Sequence, residues 1–340
     1  MLDEMIKKVV TNKELTFEQT QAAIGEIMSG TASNVQIAAF LTALTMKKET
    51  VAEIAGAAVA MRNHALAFKT SRPTLEIVGT GGDHSNSFNI STTASLVVAA
   101  AGVPVAKHGN RAASSRSGAA DVLEALGINI AAAPSKSQEI LAKENICFLF
   151  AQKYHKAMRF VAPVRQELGI RTIFNILGPL ANPAHATQQL LGVYDEGLLD
   201  TMPAVLQRIG VTSAMIVHGQ DGLDEISLSA PTHIVELQNN HLKRFEITPE
   251  QFGLSRCHPK ELVGGSAQDN AQITRNILAG ATGPKRDIVL LNAAAAIHVA
   301  HPKLSLKRSL EVAATAIDSG AAQRKLAAFI ALSNNKAVNL

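Results

Sequence analysis

The pattern of apolar and polar positions changes character near Ser71-Arg72-Pro73. Before that point, residues 1–68 carry helical spacing. Ile37, Leu41 and Leu44 fall at i, i+4 and i+7, which places an apolar stripe on one face of a helix. Three capping boxes follow one another: Thr16-x-x-Gln19, Ser33-x-x-Gln36 and Thr50-x-x-Glu53. In each, the hydroxyl caps a backbone donor while the third residue reaches back. Ser29-Gly30 closes the helix begun at the first box. Helices of this size cannot bury all their apolar faces alone, so they are expected to pack on the rest of the chain or on another subunit.

Beyond residue 73 the texture is one of short apolar runs alternating with helix-like stretches. Strands are expected at 74–78, 103–106, 146–150, 189–194 and 213–218, and helices at 91–101, 118–126, 135–143 and 155–168. Alternation of this kind predicts an α/β domain with a mostly parallel central sheet flanked by helices, following a small N-terminal helical domain. A polar hairpin at 233–247, turning at Asn239-Asn240, reads as peripheral, and 287–300 reads as a buried helix.

Composition narrows the class. With 340 residues, 47% hydrophobic and 18% charged, the chain buries a substantial core and is not disordered. Aromatics are only 4% and Trp is absent, so aliphatic side chains must fill that core. The formal charge of +4 raises the question of a nucleic-acid partner, but the basic residues are scattered and form no run of five. A small polyanion fits the same sign and needs only a local basic pocket. Cys147 and Cys257 lack metal-type spacing, and Cys147 sits in an apolar run as a buried thiol. The acidic start Met1-Leu2-Asp3-Glu4 is unlike a signal peptide, and no apolar stretch approaches the ~20 residues needed to span a bilayer. The expectation is a soluble, cytoplasmic protein with neither nucleic acid nor membrane as a partner.

Two glycine-rich segments carry the chemistry. Gly79-Thr80-Gly81-Gly82-Asp83 follows one strand and precedes Asn89-Ile90-Ser91-Thr92 at a helix start. Lys107-His108-Gly109-Asn110-Arg111 follows the next strand and precedes Ser114, Ser115 and Ser117. Strand, glycine loop and hydroxyl-rich helix start build anion sites, because exposed N–H groups and the helix dipole both favour phosphate. Two such sites suggest a ligand with phosphates at both ends, for which Lys107 and Arg111 supply charge-assisted donors. Neither segment is a dinucleotide fingerprint or a P-loop. Asp224-Glu225, after the strand at 213–218, are the best metal anchor, since Mg²⁺ is typically held by one or two carboxylates plus phosphates and water; Ser91 is a further hydroxyl donor. Arg165 stands among apolar neighbours and needs an acidic partner, either a protein carboxylate or that of a substrate. No nucleophile–base arrangement is evident around His108, His155 or His218, so the chemistry is expected to run by positioning and electrostatics.

These segments, with Gly118–Gly127, Asn175-Ile176-Leu177-Gly178-Pro179-Leu180 and Asp224-Glu225 in order, strongly resemble the anthranilate phosphoribosyltransferase family over essentially the whole chain. The resemblance implies transfer of a phosphoribosyl group from phosphoribosyl pyrophosphate (PRPP) to the amine of anthranilate, with release of pyrophosphate, in tryptophan biosynthesis. It implies a Mg²⁺-dependent homodimer formed through the helical domain. That domain would comprise residues 1–70, joined by helices near 160–185, and the PRPP-binding α/β domain residues 71–340.

Carried over by motif, PRPP would be surrounded by Gly79, Gly82, Asp83, Ser87, Asn89, Ile90, Ser91, Thr92, Lys107, His108, Gly109, Asn110, Arg111, Ala112, Ala113, Ser114, Ser115 and Ala119. Ser91, Asp224 and Glu225 would hold magnesium, the two acids acting in catalysis through it, while Gly79, Asn110 and Arg165 would contact anthranilate. Ser87 is often threonine in the family, Ala112-Ala113 and Arg116 replace more usual neighbours, and Lys156 stands where proline is common. The implied reaction is substitution at the anomeric carbon through an oxocarbenium-like transition state, by analogy with glycoside chemistry. An aromatic amine has a free lone pair and requires no strong base. Pyrimidine nucleoside phosphorylases share the implied fold but resemble K-[ML]-S-G-R-G where this chain reads Lys107 to Arg111. A nucleic-acid-binding paralogue would be expected to lose the substrate residues, and Asn110, Arg165, Asp224 and Glu225 all remain.

Overall fold

A computed structural model of the protein describes residues 1–112 and 116–335. The first four helices are α1 (Leu2–Val9), α2 (Phe17–Met28), α3 (Asn34–Lys47) and α4 (Val51–Asn63). The hydroxyls of Thr16, Ser33 and Thr50 cap α2, α3 and α4, with the third-residue side chain returning to the cap in each case.

The chain then runs β1 (Leu75–Gly79), α5 (Ile90–Ala100), β2 (Val105–Gly109), α6 (Ala119–Ala125), α7 (Pro134–Glu144) and β3 (Ile146–Phe150). A short α8 (Ala151–Tyr154), α9 (Ala162–Leu168) and α10 (Phe174–Leu177) lead to β4 (Gln188–Gly192), α11 (Leu198–Arg208) and β5 (Ser213–Gly219). The strands β6 (Thr232–Gln238) and β7 (His241–Ile247) form a hairpin. Four helices finish the chain: α12 (Ala267–Leu278), α13 (Pro284–Ala300), α14 (Leu306–Asp318) and α15 (Ala321–Ser333).

The seven strands make one sheet in the order β3-β2-β1-β4-β5-β6-β7, parallel from β1 to β5 and antiparallel at β6 and β7. The chain builds outward from β1 to β2 and β3, then returns to fill the other side with β4 and β5. The direction therefore switches between β1 and β4, and open α/β sheets bind ligands at such a point, beyond the carboxyl ends of the strands.

Helices on both faces make the strands apolar on both sides. Met215 and Val217 face the core formed with α5, α6 and α12–α15, while Ala214 and Ile216 face the core formed with α1–α4. That second core also takes in Val161, Val164, Ile173, Phe174 and Leu177, so the segment around α9 and α10 packs with the N-terminal helices. Two readings of the pattern change. The stretch 155–168 is a 3₁₀ turn (Lys156–Phe160) followed by α9, with Pro163 just inside the new helix start. The hairpin is peripheral only at β7; β6 pairs along its length with β5 and buries Thr232, Ile234, Val235 and Leu237.

Arg62 of α4 joins the two parts. Its buried guanidinium donates from Nε to the Leu180 carbonyl at 2.7 Å and from Nη1 to that of Ile209 at 3.0 Å. It also lends its field to Glu76, a buried carboxyl on β1. Arg62→Leu would strip two carbonyls of their donor and an acid of a neighbouring cation. We predict a loss of about 3 kcal/mol in unfolding free energy by urea titration; wild-type stability in the variant would contradict this.

Candidate active site

Gly79 and Gly192 pair in register at the carboxyl ends of β1 and β4. Asp224, on the loop after β5, lies across both: a Cβ at Gly79 would collide with its carboxylate, and one at Gly192 with its backbone carbonyl. Glycine at each position is what lets an acid rest on the strand ends. The glycine loop that follows β1 is tied to the same place. Thr80 N–H donates to the Gly192 carbonyl at 2.9 Å, and Gly81 N–H donates to Asp224 Oδ2 at 2.6 Å. Gly81 and Gly82 both have positive φ (71° and 80°), which a side chain would strain.

Glu225 takes the other anchor, accepting from Ser91 N–H at 3.1 Å in the first turn of α5. An unpaired helix N–H and the helix dipole both favour a carboxylate there. Lys107 Nζ is buried beneath, 2.6 Å from the Ile77 carbonyl and 3.4 Å from Ser91 Oγ. Burial lowers its pKa, while Glu76 and Glu225 oppose that fall. Burial also holds the Asp224 and Glu225 carboxyls well above the usual carboxylate range, with Asp83 adding to the first and Asp224 to the second. Among the described residues, no three His, Cys, Asp or Glu side chains converge as metal ligands. The acids come as a pair beside a serine hydroxyl, short of positive charge. That set fits a hard divalent cation completed by ligand phosphates and water.

The alternation of β2 divides the site. Lys107 points to the face of Ile77 and Ser91, and His108 to the opposite face. There, Gly79, His108, Gly109, Asn110, Arg165 and Asn175 help line a cavity of ≈ 690 Å³ between the glycine loops and the α4/α9/α10 helices. Arg165 is half-buried in its wall. Its Nη2 reaches Asn175 Oδ1 at 3.5 Å and its guanidinium lies 5.6 Å from the Phe174 ring, but among the described residues no carboxylate pairs with it. Desolvation lowers its pKa. His108 Nε2 is buried with no hydrogen-bond partner among the described residues, and its ring packs edge-on to His155 at 5.0 Å.

The remaining residues singled out by motif lie around these two faces. Asp83 and Ser87 are on the first glycine loop, with Ser87 bridged to Val263. Asn89 links α5 to the second loop through the Ser117 carbonyl and to α12 through Asn270. Ile90 is buried, and the buried Thr92 hydroxyl has no hydrogen-bond partner among the described residues. Ala119 opens α6 against Gly109. Ala112 N–H is held by Asp121 at 2.9 Å. Ala113, Ser114 and Ser115 lie outside the described residues. Arg111 departs from expectation: its guanidinium is engaged by Asp121 and Glu124, at 2.9 and 2.8 Å, rather than standing open to a phosphate.

Sequence reasoning passed over Glu76, Gly192 and Arg171. A lone acid within an apolar strand and a glycine inside another were signals for the first two. Nothing in the local pattern marks Arg171.

Models of two families match the chain: the glycosyl transferase family helical bundle domain over residues 3–65 and the glycosyl transferase family a/b domain over residues 71–323. The chain is 60% identical to the anthranilate phosphoribosyltransferase of Lacticaseibacillus casei (strain BL23), over 99% of this chain and 98% of that protein. Its fold superposes on the crystal structure of anthranilate phosphoribosyltransferase from Thermus thermophilus with a TM-score of 0.93, at 42% identity, over 97% of this chain and 99% of that one. The Saccharomyces cerevisiae enzyme in complex with PRPP and Mg matches with a TM-score of 0.90 at 30% identity, over 98% of each chain. The chain belongs to the anthranilate phosphoribosyltransferase family.

The buried histidines give the site an acid-sensitive edge. Burial lowers the pKa of His108 to about 3, with His155 contributing, and lowers that of His155 to about 4. An unfolded histidine titrates near ~6.5. Below that pH the unfolded chain takes up protons that the fold refuses, so the stabilisation is complete above ~6.5 and falls as the pH drops. Between pH 6.5 and 5, His155→Gln should lose about 1–2 kcal/mol less unfolding free energy than the wild type. Equal losses by urea titration at the two pH values would contradict the assignment.

Proposed function

We propose that this protein transfers the phosphoribosyl group of PRPP to the amine of anthranilate, releasing pyrophosphate, as a step of tryptophan biosynthesis. The observation that carries the acceptor is Arg165. A half-buried guanidinium with no carboxylate partner among the described residues faces a cavity whose other wall includes the glycine loops. A planar, delocalised cation of this kind matches a carboxylate on an aromatic ring.

The donor lies on the other side of the sheet end. Its phosphates meet the glycine loop at 79–83, the N-terminal turn of α5 and the Lys107 ammonium, all of which favour negative charge. Asp224, Glu225 and Ser91 would hold Mg²⁺, which supplies charge stabilisation to the departing pyrophosphate. The protein's own part is positional. Gly79 and Asn110 border the acceptor cavity at the point where the donor loop begins, so the amine and the anomeric carbon are brought together there. Charge growing on pyrophosphate is met by groups already fixed in place, which costs no reorganisation during the reaction. His108 and His155, held neutral by burial, do not compete with the ring as cations.

The helical domain of residues 1–70, with the segment near 160–185, and the α/β domain of residues 71–340 form the two walls of this site. A homodimer through the helical domain is part of the same reading. Val10, Val35 and Met46 on or beside α1 and α3 are 60%, 79% and 81% exposed, apolar surface that a second copy would cover. No described helix is long and apolar enough to cross a membrane, and both cysteines are free, in keeping with a cytoplasmic enzyme.

The test is to mix the protein with anthranilate, PRPP and Mg²⁺ and follow the loss of anthranilate fluorescence. Decay is expected, and none under any metal condition would overturn the reading. Arg165→Ala should raise the KM for anthranilate about tenfold or more while leaving that for PRPP nearly unchanged. Equal rises in both would remove the carboxylate role.

A further inference from the structure

The glycine loop at 79–83 has a third tether. Arg171, on the connection between α9 and α10, donates from Nη2 to the Gly82 carbonyl at 3.0 Å. Its guanidinium lies 4.0 Å from the centroid of the Tyr194 ring, two residues beyond β4. Tyr194 in turn donates its N–H to Thr80 Oγ1 at 3.1 Å. One cation is thus held against the ring at the end of β4 and grips the loop at the end of β1. A Cβ at Gly82 would lie 2.8 Å from Arg171 Nη2, so a side chain there would push the guanidinium away.

Arg171 is also continuous with the acceptor wall. Thr172 N–H donates to Asn175 Oδ1 at 3.0 Å, the same oxygen that Arg165 Nη2 approaches at 3.5 Å. Arg171 itself is exposed and pairs with no acid among the described residues. A charged donor kept for one carbonyl and one ring holds a geometry rather than neutralising a charge.

We propose that Arg171 is a positioning residue for the donor. It commits the Gly82 carbonyl oxygen to a cation, so that oxygen is not offered to a phosphate, and it fixes the loop against Tyr194 before PRPP arrives. Preorganising a loop lowers the ordering cost charged against binding. The proposal rests on the reading of the 79–83 loop as part of the PRPP site. If the wild type shows no turnover with PRPP, that reading fails. If it turns over but the variants below behave as wild type, only the role of Arg171 fails.

The experiment compares Arg171→Met, Tyr194→Leu, Tyr194→Phe and the Arg171→Met/Tyr194→Leu double variant in steady-state kinetics with both substrates, alongside thermal melting. Arg171→Met should raise the KM for PRPP about tenfold with kcat and the KM for anthranilate within about twofold, the loss of one charge-assisted contact. Tyr194→Leu should reproduce part of that rise and Tyr194→Phe, which keeps the ring, should not. The double variant should be no worse than Arg171→Met, because the two side chains act as one unit. Melting temperatures should be unchanged, since the guanidinium is exposed. An unaltered KM for PRPP, equal rises for both substrates, or additive effects in the double variant would overturn the proposal.

Discussion

The site depends on one close packing: Asp224 lying over the paired glycines at the ends of β1 and β4. Any side chain at Gly79 or Gly192 would occupy the space that Asp224 fills. Because the strand ends are bare, the loop after β5 can bring two acids to the switch point of the sheet. There, Gly81 and the first turn of α5 supply N–H groups to meet them. The arrangement takes two acids out of water, and burial raises the pKa of both carboxyls. A cation and a phosphate ligand together would relieve that desolvation.

The second organising feature is the two-residue period of β2. Successive residues of a strand face opposite sides, so Lys107 and His108 point to opposite faces of the sheet though they are adjacent in the chain. On the Lys107 side stand Ser91 and Glu225; on the His108 side lies the cavity with Arg165. Glu76 holds the junction. Buried on β1, it accepts the His108 N–H at 3.1 Å and the side-chain amide of Asn182, which also donates to the Ala106 carbonyl at 2.7 Å.

Much of this was legible in the sequence because it is local. Capping boxes at Thr16, Ser33 and Thr50 are read within four residues, and strand–glycine–helix segments within a dozen. The class of the larger domain follows from the alternation of runs. What was hidden is long-range. Arg111 looked free for phosphate because Asp121 and Glu124 lie on the following helix, and only folding brings their carboxylates round to it. The stretch 155–168 has helical composition throughout, yet it bends after the 3₁₀ turn so that α9 presents Arg165 to the cavity. Arg171 carries no local mark because its partners, Gly82 and Tyr194, are distant in the chain on both sides.

Proton release shows most clearly whether the buried pair Asp224 and Glu225 takes a metal–phosphate ligand. Burial raises the pKa of both carboxyls, so the pair holds protons to higher pH than free carboxylates do and should give them up when a cation arrives. Calorimetric titration of Mg²⁺ with PRPP into the protein at pH 7, in two buffers of different ionisation enthalpy, counts those protons. Net release by the wild type beyond that seen with Asp224→Asn/Glu225→Gln is expected. Equal proton release in the two proteins, with PRPP bound in both, would contradict it.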